Sequence, residues 1–103
     1  MSKESNLTAI TPGEILLEDF LKPLNMNAHQ LALALRVPAN RIAAIIEGRR
    51  AISVDTALRL ARYFEMTPRF WFNLQAQYEL RKAEAELSER IDREVQPREN
   101  SAA

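Results

Sequence analysis

Asn40 and Arg41 head a short segment, NRIAAIIEG, whose residue types suit reading another molecule better than covalent chemistry. Ile42, Ile45 and Ile46 recur at i, i+3 and i+4 and so mark one buried stripe of a helix. The opposite face then carries Asn40, Ala43, Ala44 and Glu47, with Arg41 on its flank. An amide offers donor and acceptor side by side and a guanidinium offers a fork of donors, so these two side chains match the edges of base pairs. With a second apolar-striped segment and a Val37-Pro38 break before it, and Gly48, Arg49 and Arg50 after it, the stretch 28–50 reads as a helix-turn-helix. The same spacing also fits a helical hairpin that merely packs.

Charge favours the first reading. The 103 residues hold 14 basic and 14 acidic side chains, a formal balance of zero. Between Arg36 and Arg62, however, six arginines stand against only Glu47 and Asp55. A local basic patch on a neutral chain is an electrostatic footprint for phosphate, although a solvated arginine-rich surface has the same composition.

Catalysis finds little support. Cysteine is absent and His29 is the one histidine, so neither a metal-ligand set nor thiolate chemistry is expected. No strained turn presents a serine to His29, and the two glycines, Gly13 and Gly48, cannot form a phosphate loop. The N-terminus lacks a signal-peptide core and no apolar run approaches the ~20 residues that span a bilayer. The expectation is a cytoplasmic protein without membrane association that is not an enzyme and needs no cofactor.

Five helices must position the candidate readers, and their start signals agree with one another. Thr11-Pro12-Gly13-Glu14 is a capping box with proline at the first helical position, predicting helix one over about 12–22, with Pro23 stopping it. Leu16, Leu17, Phe20 and Leu21 form its inner side. Asn27 and Gln30 cap helix two, about 28–35, which turns Leu31, Ala32 and Leu35 inward. Pro38 fits the first turn of helix three and Gly48 the left-handed position that ends it. Ser53 caps helix four, about 54–64, with Ala57, Leu58, Ala61 and Phe64 as its inner stripe.

Thr67-Pro68 opens helix five, whose first turns hold most of the aromatics. Phe70, Trp71, Phe72 and Tyr78 offer more apolar surface than one helix face hides in a small monomer, so part of it is expected in a dimer contact, assigned to Phe70, Trp71, Leu74 and Tyr78; the alternative is that the aromatics complete the core. Farther on, Ala76, Leu80, Ala83, Leu87, Ile91 and Val95 recur at threes and fours, a narrow seam for a symmetry mate or a partner protein. The predicted organisation is an N-terminal arm (1–10), an all-α helix-turn-helix domain (11–80), and a helical extension with a disordered tail (81–103).

The order TPGEILLEDFLKPLNM, HQLALALRV and GRRAISVDTALRLARYFEMTPRFWFNLQAQYEL resembles the HigA antitoxins, the VapI-type group of Xre-family helix-turn-helix regulators. The match spans about 11–80 and its PGEIL, GRRAIS and FWFNLQ segments are far more specific than a generic helix-turn-helix. The resemblance implies a five-helix, lambda-repressor-like domain with a long C-terminal helix. It also implies a homodimer that represses its own operon from operator DNA and neutralises a HigB-like toxin of the RelE superfamily, an mRNA endonuclease.

Carried onto this chain, it places Ala39, Asn40, Arg41 and Ala44 at base-facing positions and Asn27, Ala28, Arg49 and Arg50 at phosphates. The alanines leave an unusually bare reading face, so readout rests on Asn40, Arg41 and DNA shape. A repressor without a toxin, and a toxin-binding module without DNA contact, are the alternative functions.

Overall fold

The computed structural model describes residues 10–99, and five helices account for most of them. Thr11 starts α1, its hydroxyl accepting the Glu14 amide at 3.2 Å. The helix runs as Pro12–Ile15, a wider π turn Leu16–Leu21, and Lys22–Leu24. Pro23 therefore does not stop it; Asn25, left-handed at φ 59°, closes it. In a regular helix the proline ring collides with the carbonyl four residues back. Here the Lys22 amide bonds the Leu17 carbonyl, five residues back, which widens the turn where the ring enters. The widening also brings Leu16 and Leu21 onto one face, and both are fully buried.

Helix α2, Ala28–Leu35, begins with a reciprocal box: Gln30 N donates to Asn27 Oδ1 at 2.8 Å and Asn27 N to Gln30 Oε1 at 2.9 Å. Arg36 ends it at φ 62°. Helix α3, Ala39–Ile46, has Pro38 at its N-cap, one residue outside the expected first turn, because Pro38 is extended at ψ 143°. Gly48, at φ 81°, turns the chain back after α3. Helix α4, Val54–Phe64, is capped by the Ser53 hydroxyl, which accepts the Thr56 amide at 3.2 Å.

The inner side of α4 is Ala57, Leu60 and Ala61, with Phe64 partly buried. Leu58, expected inward, is half-exposed: it follows Ala57 by about 100° around the helix, toward Val54 and away from Leu60. Helix α5, Pro68–Glu94, starts at Thr67, whose hydroxyl accepts the Arg69 amide at 3.2 Å. Its 27 residues extend for about 40 Å, well beyond the domain it leaves. The expected arm and tail lie largely outside the described residues, at 1–9 and 100–103.

The core gathers Leu16 and Leu21 of α1, Leu31 and Leu35 of α2, Ile42 and Ile45 of α3, Leu60 of α4 and Trp71 of α5. Trp71 corrects the expected dimer contact. It is fully buried, its ring centroid 4.9 Å from Phe20 and 5.0 Å from Phe70. Leu74 also packs on the core, and Tyr78 is half-buried in a groove shared with Ile10, Pro12 and Ile15. Of the four expected dimer residues, Phe70 keeps the most surface, and its ring too contacts Phe20 and Trp71. The physical cause is the crossing of α5 against both α4 and the start of α1, which turns this aromatic side inward.

Candidate nucleic-acid interface

Two contacts between distant parts of the chain set α3 and its following turn in place. At Gly13 an added Cβ would lie 1.8 Å from the Ile45 carbonyl oxygen, so only a glycine lets the first turn of α1 rest on the end of α3. Behind the turn, buried Gln75 of α5 accepts the Ile52 amide at 2.8 Å and donates from Nε2 to Glu79 at 2.9 Å. This satisfies a backbone donor that would otherwise be costly at that depth. Neither contact was foreseen from the sequence. The glycine reads there as part of a capping box, and the glutamine as one polar residue in an aromatic run.

With its inner side fixed, α3 leaves Ala39 and Asn40 exposed at an N-terminus that no side chain caps. These positions are free for base edges. Ala44, assigned to the same face, is instead buried. A methyl group reaches out too little to clear its surroundings once the chain doubles back at Gly48 and the Arg49 amide bonds the Ala44 carbonyl at 2.9 Å.

Arg41 is also less available than its spacing suggests. Only 25% of its side chain is exposed, its Nε is buried without a hydrogen-bond partner, and Nη1 reaches Asp55 Oδ2 at 3.3 Å. The same Asp55 oxygen accepts Arg59 Nε at 3.0 Å. Arg59 Nη1 donates at 2.9 Å to the Leu35 carbonyl, one of the groups left open at the end of α2. One carboxylate thus joins α3 to α4, and through Arg59 the end of α2.

The expected phosphate contacts divide in the same way. Arg49 and Arg50 are exposed beyond α3, but Arg49 Nε donates to Glu47 at 2.9 Å. Glu47 is thereby paired by Arg49. Asn27 is exposed, with its amide and its side-chain oxygen both occupied by Gln30; Ala28 is half-buried beside it. Exposed Arg49 and Arg50 thus lie past the C-terminal end of α3, with side chains long enough to reach a phosphate backbone, while exposed Asn40 stands at its open N-terminal end. Among the described residues, no group of His, Cys, Asp or Glu could hold a metal ion, and no helix is long and apolar enough to cross a membrane.

The helix-turn-helix family profile matches residues 17–71, which takes in α2, the turn, α3 and α4 whole. Virulence-associated protein I of Dichelobacter nodosus is 48% identical over 81 residues, 79% of this chain and 75% of that protein. The structure of the Pseudomonas aeruginosa antitoxin HigA with higBA promoter superposes with a TM-score of 0.84 at 42% identity, covering 85% of this chain and 96% of that one. The chain belongs to the HigA/VapI-type helix-turn-helix family. An addiction module antidote protein of the HigA family from Coxiella burnetii, 47% identical, superposes with a TM-score of 0.82 over 86% of this chain and 97% of its own. This HigA-type family is one of regulators and antitoxins rather than enzymes, and the long C-terminal helix is part of its fold.

Proposed function

We propose that this HigA-type chain binds operator DNA in front of its own operon, as a homodimer, and serves as antitoxin to a HigB-like toxin of the RelE superfamily. The exposed, uncapped start of α3 carries the reading: Ala39 and Asn40 are held outward by a helix whose other side is fixed by Gly13 and the isoleucines. Asn40 pairs with adenine through its amide, and the Ala39 methyl meets a thymine methyl. Arg50 and the exposed edge of Arg49 anchor the domain on phosphates without specifying sequence. The promoter complex of the Pseudomonas aeruginosa HigA supports this use of the fold.

A single short reading helix offers little specificity, which favours two copies on successive major grooves about 34 Å apart. The surface that supports such a pairing is not the Trp71 side but that of Phe72 and the expected seam of α5. Val54, Leu58 and Phe72 stand between 50% and 58% exposed around a groove of about 300 Å³, immediately after the turn that follows α3. The face continues along α5 through Leu80, Leu87 and Ile91, half a turn away from Trp71. An isologous contact through this strip covers the same apolar patch on both copies at once.

Titration of the full chain with the duplex immediately upstream of its gene, against a shuffled duplex of equal length and composition, tests the DNA reading. Preference for the upstream duplex is expected; equal affinity for both overturns it. Sedimentation of the protein and of Leu58→Glu tests the dimer: the wild type is expected as a dimer at micromolar concentration and the variant as a folded monomer. For the toxin, co-purification with the product of the adjacent open reading frame is the measurement. A neighbour that is not a small RelE-like protein, or that does not co-purify, removes that part.

A further inference from the structure

Asp55 is an acidic residue of α4 that reaches a side chain of the reading helix. It lies in the first turn of α4, where a negative charge is favourable, yet its oxygen is used elsewhere. Oδ2 accepts both Arg41 Nη1 at 3.3 Å and Arg59 Nε at 3.0 Å, contacts made across 14 and 4 residues of chain. The carboxylate itself is more than half exposed. Two of the six arginines in the basic segment are therefore held by one surface carboxylate.

We infer that Asp55 is a specificity-determining positioning residue, which restrains Arg41 and Arg59 and so suppresses sequence-independent binding to phosphate. The inference rests on the DNA reading above. Sequence-independent affinity for a duplex comes from cations that displace counterions, and each phosphate neutralised steepens the salt dependence by about 0.9. Arg41, its side chain three-quarters buried, cannot swing to a phosphate without leaving Asp55. Arg59 is further committed to the Leu35 carbonyl, so its release would also loosen α2 from α4.

The exposed carboxylate adds a penalty of its own. A phosphate brought beside α3 meets a like charge, and only a duplex whose base edges satisfy Asn40 compensates for it. Discrimination is thus raised by weakening the wrong complex. The Glu47–Arg49 pair at the other end of α3 works in the same sense, but it joins neighbours in sequence and ties no second helix.

The test measures binding of the full chain to the upstream and shuffled duplexes over a range of salt, for wild type, Asp55→Ala, Asp55→Asn and the double variant Asp55→Ala/Arg41→Met. Thermal melts monitor folding, and Asp55→Asn preserves the side-chain shape should the alanine variant unfold. Loss of the charge is expected to tighten binding to the shuffled duplex about tenfold and steepen its salt slope by about 1, with the upstream-to-shuffled ratio falling correspondingly. Adding Arg41→Met is expected to return most of that non-specific affinity to the wild-type value. An unchanged ratio in a folded Asp55 variant, while the wild type still discriminates, overturns this inference alone. A wild type that does not discriminate overturns it together with the DNA reading.

Discussion

The inner side of α3 is held by close backbone approach and burial, the outer side by exposed ion pairs. Gly13 against Ile45 and Gln75 under Ile52 allow almost no adjustment, since each involves backbone atoms of another element. Asp55 with Arg41, and Glu47 with Arg49, can exchange partners with solvent or with DNA. An exposed pair such as Glu47–Arg49 contributes at most about 1 kcal/mol to stability. Substitution on the inner side should therefore be read in unfolding, and on the outer side in binding.

The severest break in that contrast is Gly13→Ala. Its Cβ collides with a carbonyl that cannot rotate away, so a loss of about 3 kcal/mol is expected in urea unfolding. A loss below about 0.5 kcal/mol would show that α1 is free to shift and that α3 is not held there. Gln75→Ala comes next. It strands the buried Ile52 amide and should cost about 2 kcal/mol, with the salt slope of DNA binding unchanged.

On the outer side, Asn40→Ala should leave the melting temperature alone and weaken binding to the upstream duplex by roughly 1 to 3 kcal/mol. An equal loss on shuffled DNA would move Asn40 from base reader to general contact. The smallest expected change is Arg49→Ala, which lowers affinity similarly on both duplexes and reduces the salt slope by about 1. No change in slope would mean that Glu47 keeps Arg49 from phosphate.

Much of the fold was legible because its punctuation is local. Thr11, Asn27, Ser53 and Thr67 each satisfy a helix amide two or three residues onward, and Gly48 turns the chain as its type predicts. The exposed position of Asn40 was legible for the same reason, since it lies opposite an isoleucine stripe at the start of a helix. Pro23 misled because a proline ordinarily ends a helix, and only the wider turn ahead of it permits otherwise.

The errors at Trp71 and Leu58 share another cause. Each sits on a helix with apolar residues on more than one side, and periodicity does not say which side a neighbouring helix will cover. The aromatic start of α5 could serve a core or a dimer on spacing alone. Its crossing with α4 and α1 gave it to the core and left Val54, Leu58 and Phe72 outside.

Sequence alone determined where the helices begin, which segment is the candidate reader, and the family to which the chain belongs, because caps, turns and period act within a few residues. Tertiary structure decided which readers are free. Arg41 is engaged by a residue 14 positions away, Ile52 by one 23 away, and Arg59 by a carbonyl 24 away. Contacts at such separations depend on how helices cross, and local residue patterns do not encode that crossing.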